Sequence, residues 1–341
     1  MYIKKKNILF GVIGITIVFV LAIAIYFVVN TSITTKDKKT FYLLIPENST
    51  FDSVADSLNR HTFIPMFAFR TIANLKKYEQ IKTGRYKITN GMNVIQLVNN
   101  LRSGRQEPLK ISFNNIRTKE QLCARFDEQL MLDSASLSNI LNDKNFLQQH
   151  ELTLETAVCL FIPNTYEVYW TISPFDLFKR MEKEYTHFWT EKRNEKAANT
   201  GLSKTEIITL ASIVEGESNN RKEKPIIAGL YLNRLHKKMP LQADPTVIFA
   251  VGDFSIRRVL NEHTKIDSPY NTYLYAGLPP GPIRIPFIES IDAVLNFEKN
   301  NYLYMCAKGL GTGEHYFATT YAEHLKNARK YRQDLNKSGI K

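Results

Sequence analysis

The stretch SKTEIITLASIVEGES, residues 203–218, decides how the rest of the chain is read. Ser203 followed three residues later by Glu206 is a capping-box pattern, in which each side chain takes the other's free backbone N–H, and it predicts a helix that starts at Lys204. Ile207, Leu210, Ala211 and Val214 then recur at i, i+3, i+4 and i+7, one apolar stripe. At about 100° per residue, Glu215 and Glu217 fall roughly 80° to either side of Ile207, so both border the predicted buried face. A carboxyl at an apolar margin is desolvated, its pKa rises, and it can hold a proton long enough to pass it to a glycosidic oxygen. The plainer reading is two solvated acids at a helix end, and periodicity does not rank Glu215 above Glu217.

Downstream, Pro225 suits the first turn of a helix over 226–235, and Asp244 with Pro245 reads as an N-cap and N1 pair opening a helix over 246–251. The segment SPYNTYLYAGLPPGPI, 268–283, is too rich in Pro and Gly for a regular element and reads as an ordered loop carrying tyrosines and Asn271. Gly309, Gly311 and Gly313 sit between strand-like flanks, which predicts a hairpin rather than a nucleotide loop. A basic amphipathic helix closes the chain over 321–335.

Upstream, residues 41–104 alternate strand and helix signals: strands at 41–45 and around Tyr86, helices at 51–58, 67–75 and 94–101, and a stop at Gly104. This predicts a separate α+β module. The aromatic segment LFIPNTYEVYW, 160–170, is read first as core or loop packing, with a sugar-stacking platform as its rival. Residues 31–40 are short and polar and read as a linker. Before them, Lys4, Lys5 and Lys6 precede an uncharged run over 8–29, long enough at 1.5 Å per residue for a hydrocarbon core of about 30 Å. The run outlasts a signal-peptide core, so it predicts one uncleaved membrane helix, with its N-terminus cytoplasmic and the rest of the chain outside.

The whole chain has 341 residues and a net charge of +12, and 44% of it is hydrophobic. Those values leave room for about two globular domains and exclude disorder and collagen. Three widely spaced cysteines exclude a disulfide framework and a CxxC metal or redox pair. The histidines form no HExxH, and there is no Walker motif or nucleic-acid signature, so no metal, cofactor or nucleic-acid partner is expected. The basic surplus suits an anionic polymer or a membrane face.

In sequence order, LASIVEGES, AGLYLNRL, MPLQADPTVIFAVG, SPYNTYLYAGLPPGPI and YLYMCAKGLGTGEHYFATTYAEHLKNARKYR closely resemble the catalytic domain of the MltG (YceG-like) endolytic murein transglycosylase family. TGRYKITNGMNVIQLVNNLRSG, 83–104, is similar to the LysM-like subdomain of the same family. The resemblance runs from the apolar segment to about residue 331. It implies an α+β fold: a single N-terminal transmembrane helix within 1–30, a linker over 31–40, a LysM-like subdomain over 41–108 and a mixed α/β catalytic domain over 109–341. It places the family's acid on Glu215 and its groove walls on Gln242, Asp244, Thr246, Tyr270, Asn271, Thr272 and Tyr273, with Glu217 as polar support.

Asn164 and Gly216 depart from the family's usual residues. The implied activity is lytic cleavage within peptidoglycan strands at the cell inner membrane, near peptidoglycan synthases, leaving 1,6-anhydroMurNAc ends. Two rivals remain open: a hydrolase pairing two carboxyls, with Glu217 or Asp244 as the partner, and a noncatalytic wall-binding anchor.

Overall fold

A computed structural model describes residues 13–20, 22–23, 26–27, 30–309 and 313–337. The fold is mixed α+β, with many helices and small two-stranded sheets, and the chain forms two compact units. The first comprises residues 1–110, 129–131 and 167–172, and the second 111–128, 132–166 and 173–341.

In the first unit, β1 (Thr34–Thr35), β2 (Phe41–Ile45), α1 (Phe51–His61), β3 (Thr62–Phe63), α2 (Met66–Leu75), β4 (Gly84–Ile88) and α3 (Val94–Ser103) follow one another. β2 and β4 pair antiparallel, with Phe41 opposite Ile88 and Ile45 opposite Gly84. Leu43 and Ile45 point inward while Tyr42 and Leu44 face out, the period-2 pattern of a sheet buried on one face. Phe69, Ile72, Tyr86, Ile88, Leu97 and Leu101 complete the core. Gly104 ends α3 at φ +73°, a left-handed cap that costs glycine nothing.

Residues 31–40, expected as a linker, are instead built into this unit. Ile33 is fully buried, its N–H donates to the Met92 carbonyl at 2.8 Å, and its own carbonyl accepts from Gly91 at 2.8 Å. β1 pairs with β3. The predicted membrane helix lies partly outside the described residues; its described parts are helical, and their large apolar side chains, from Ile13 to Phe27, are exposed. Among the described residues no helix is long and apolar enough to cross a membrane.

β5 (Leu109–Ser112) pairs with β6 (Thr165–Val168). The second unit's helices are α4 (Lys119–Asp127), α5 (Ser134–Asn142), α6 (Lys144–Gln149), α7 (Pro174–Phe188), α8 (Glu191–Thr200), α9 (Lys204–Glu217), α10 (Lys224–His236), α11 (Asp244–Val251), α12 (Ile288–Leu295) and α13 (Tyr321–Lys337). Between α12 and α13, β7 (Tyr304–Ala307) and β8 (His315–Ala318) form the antiparallel hairpin expected around the glycines. From the aromatic segment, Phe161 and Tyr166 pack with Phe113, as core.

α9 is the axis of this unit. Its capping box forms as predicted, Ser203 Oγ accepting the Glu206 N–H and Glu206 Oε2 accepting the Ser203 N–H. The single apolar stripe does not hold: every residue from Ile207 to Glu215 is buried, because α10, α11 and α12 all pack against this helix. A helix enclosed on all sides has no solvent face on which to place its polar residues, so Thr209 and Ser212 turn their hydroxyls onto backbone carbonyls of the preceding turn.

Candidate active site

The C-terminal turn of α9 sends its two glutamates in different directions. Glu215 is buried, and its carboxylate serves α12. Its Oε2 accepts the Phe287 N–H at 2.6 Å and the Ser290 hydroxyl at 2.9 Å, and its Oε1 lies 3.1 Å from Arg284 Nε. α12 has no side-chain cap of its own, so the carboxylate on α9 fills that place and faces the positive end of the helix dipole. Ser290 also accepts from Lys224 Nζ, which pairs with Glu289, extending the network to α10.

Glu217 faces a groove of about 470 Å³. The groove is walled by Tyr231 and Arg234 of α10, the corner from Leu241 to Asp244, Tyr273, the β7 strand, His315, and Tyr321 with His324 of α13. A second cavity of about 340 Å³ shares Glu217, Ala307 and His315 with it, so Glu217 sits where the two meet. Tyr231, fully buried, donates its hydroxyl to Glu217 Oε1 at 2.6 Å. Burial lifts the Glu217 carboxyl to a pKa of about 7; the Tyr231 bond pulls it down, the Asp244 charge pushes it up, and Arg234 pulls it down.

Asp244 is the first residue of α11 rather than its cap. Its carboxylate accepts the Tyr273 hydroxyl at 2.6 Å, and the bond and the charge together help burial push the Tyr273 phenol above its usual range. Gln242 takes φ +50°, a left-handed conformation that costs a non-glycine residue roughly 1–3 kcal/mol and is held by its surroundings. Its N–H donates to the Thr272 carbonyl at 3.0 Å, and its side-chain oxygen lies 3.4 Å from Arg234. Arg234 also donates to the Leu241 and Leu303 carbonyls at 2.7 and 2.6 Å, tying the corner to the hairpin.

Of the residues proposed from sequence, Glu217, Gln242, Asp244 and Tyr273 therefore meet in one groove. Glu215 does not line it. Thr246, Asn271 and Thr272 are buried scaffold: Thr246 and Thr272 share a hydroxyl–hydroxyl bond at 2.8 Å, and Asn271 donates to the Thr264 and Ile266 carbonyls. Tyr270 packs on Phe249, with ring centroids 4.7 Å apart. Sequence reasoning missed Tyr231, Arg234 and His315. Glu223, close to Tyr231 in sequence but pointing elsewhere, holds His315 by both its backbone N–H and its ring Nδ1, each at 2.8 Å.

A model of the YceG-like family matches residues 43–330. An endolytic murein transglycosylase of Bacillus subtilis (strain 168) is 31% identical over 326 residues, 88% of each chain. An endolytic murein transglycosylase of Streptococcus pneumoniae serotype 2 is 26% identical over 331 residues, and the match spans 86% of this chain and 59% of the longer relative. The crystal structure of a YceG-like protein from Listeria monocytogenes superposes with a TM-score of 0.56 at 28% identity, over 85% of this chain and 99% of the other.

Proposed function

The chain belongs to the YceG-like family, and from that premise we propose how it acts as a peptidoglycan lytic transglycosylase. Glu217 is the acid. One observation carries this: of the two glutamates that end α9, Glu217 is the one that opens on the groove, with its carboxyl held by Tyr231 and its pKa near 7. Such a group is protonated often enough to give its proton to the oxygen between MurNAc and GlcNAc. It is also basic enough, once ionised, to take the proton of the MurNAc 6-hydroxyl. That hydroxyl oxygen then bonds to C1, so no water is consumed and the product ends in 1,6-anhydroMurNAc. The Asp244 carboxylate and the Tyr231 and Gln242 dipoles are placed to steady positive charge developing at C1.

Glu217→Gln keeps the shape and cannot donate the proton, so cleavage of purified glycan should fall by about 10²-fold to 10⁴-fold. Full activity in that variant removes the assignment. The presence of Asp244 in the same groove favours a second reading, a two-carboxylate hydrolase. Product mass separates the two, because anhydro ends are one water lighter than reducing ends.

The chain is read as a single-pass membrane protein with its enzyme outside the cytoplasm. The lysines at 4–6, the uncharged run over 8–29 and the exposed apolar side chains of its described helical parts support this. Work beside peptidoglycan synthases belongs to the same proposal and rests on the family resemblance.

A further inference from the structure

A small cavity of about 90 Å³ lies one residue away from the groove along two helices: Gly216 precedes Glu217, and Pro245 follows Asp244. Two guanidinium groups, Arg117 and Arg284, face it together with Phe249 and Phe254. Arg284 is largely committed, with Nε toward Glu215 and a terminal nitrogen donating to Asn115 at 2.6 Å. Arg117 lies 4.7 Å from the Phe254 ring centroid, and among the described residues no carboxylate comes within ion-pair distance of it. The charge around the cavity is thus two cations against the single buried anion Glu215. Burial and the neighbouring Arg284 charge weaken Arg117's hold on its proton, which an anion between the two would reverse.

We propose that this cavity is an anion subsite that takes a carboxylate of the peptide borne by the glycan strand. The inference rests on the reading of the neighbouring groove as the glycan site. The apolar side chains on its wall lower the local dielectric and strengthen a charge-assisted bond to the guanidinium. The cavity has room for a carboxylate and its nearest waters rather than a saccharide ring. Two of the residues lining it, Gly216 and Pro245, are the chain neighbours of the groove residues Glu217 and Asp244, which argues for a substituent of the bound sugar as the ligand.

The test is binding to the full chain carrying Glu217→Gln, with and without Arg117→Gln, so that turnover does not enter. The probes are glycan strands with free peptide carboxylates, the same strands with those carboxylates amidated, and strands stripped of peptide. Arg117→Gln should weaken binding of the first by about tenfold and leave the other two unchanged, the loss expected for one bond to a charged group. Arg117→Lys, which keeps the charge, should recover most of the affinity. An equal effect on all three probes, or none on any, overturns the subsite. Failure of the groove reading shows separately, as full cleavage activity in Glu217→Gln alone.

Discussion

Tyr231 and Asp244 act on Glu217 in opposite senses. The Tyr231 hydroxyl bonds to the charged form of the carboxyl and stabilises it, so Tyr231→Phe should raise the Glu217 pKa above its value near 7. A bond to a charged group is worth roughly 1.5–3 kcal/mol, enough to move the pH–rate profile upward by about one to two pH units. Asp244→Asn removes a repelling charge and should move the same profile downward. A shift of both in one direction would mean that the groove had merely been disturbed.

The same pKa fixes the sign of a stability effect. The carboxyl sits near 7 in the fold against 4.5 as its ordinary value, so between those pH values the unfolded chain gives up a proton that the folded chain keeps. Stability therefore falls as pH rises through that window, by roughly 3 kcal/mol at most. Glu217→Gln should consequently melt higher than the parent at pH 8 and no higher at pH 4. Glu215→Gln should do the reverse of stabilise: it leaves the partly buried Arg284 without its anion and weakens the cap of α12, a loss of about 3 kcal/mol visible in thermal melts at neutral pH.

Among elements, α9 shows what the sequence could and could not tell. Its start was legible because the capping box is local. Which glutamate faces the groove was not legible, because the partners that separate them lie far along the chain: Arg284, Phe287 and Ser290 for one, Tyr231 for the other. The YNTY block was found as a segment, yet only Tyr273 of it reaches the groove. A buried Asn that bonds its own loop and an exposed one that binds sugar are alike in sequence. Helix contacts also impose a constraint at Gly229 of α10, where a β-carbon would run into the Glu298 carbonyl oxygen. Gly229→Ala should therefore destabilise by about 1–3 kcal/mol, although alanine is the better helix former, and calorimetry would measure it.

For the whole molecule, the longer strand and helix signals of the first unit are legible to within a few residues, because these elements alternate and are closed by caps, whereas the two-residue strands β1 and β3 are not. Its beginning was not, since Thr31, Ile33 and Thr35 look like tether until Asn90, Gly91 and Met92 are seen beside them. Truncation should expose the difference. A chain starting at residue 31 should keep the first unit folded, whereas one starting at residue 41 loses Ile33 and β1 and should show earlier proteolysis within 41–104. A reporter fused to the C-terminus and active only in the cytoplasm should stay silent if the apolar run spans the bilayer.

The zipped entry into the first unit would also set how an enzyme held at a membrane searches. Ten loose residues would let a domain wander by about 17 Å, the root-mean-square reach of a flexible chain of that length. Here the backbone is fastened from Thr31 onward, so for a chain held in a bilayer that slack is gone. For a chain so anchored, the first unit would drift with its lipid neighbours at one height and sample only the layer of strands there. Lengthening the junction by inserted glycine and serine would widen the layer, while each copy would spend less of its time at any one depth.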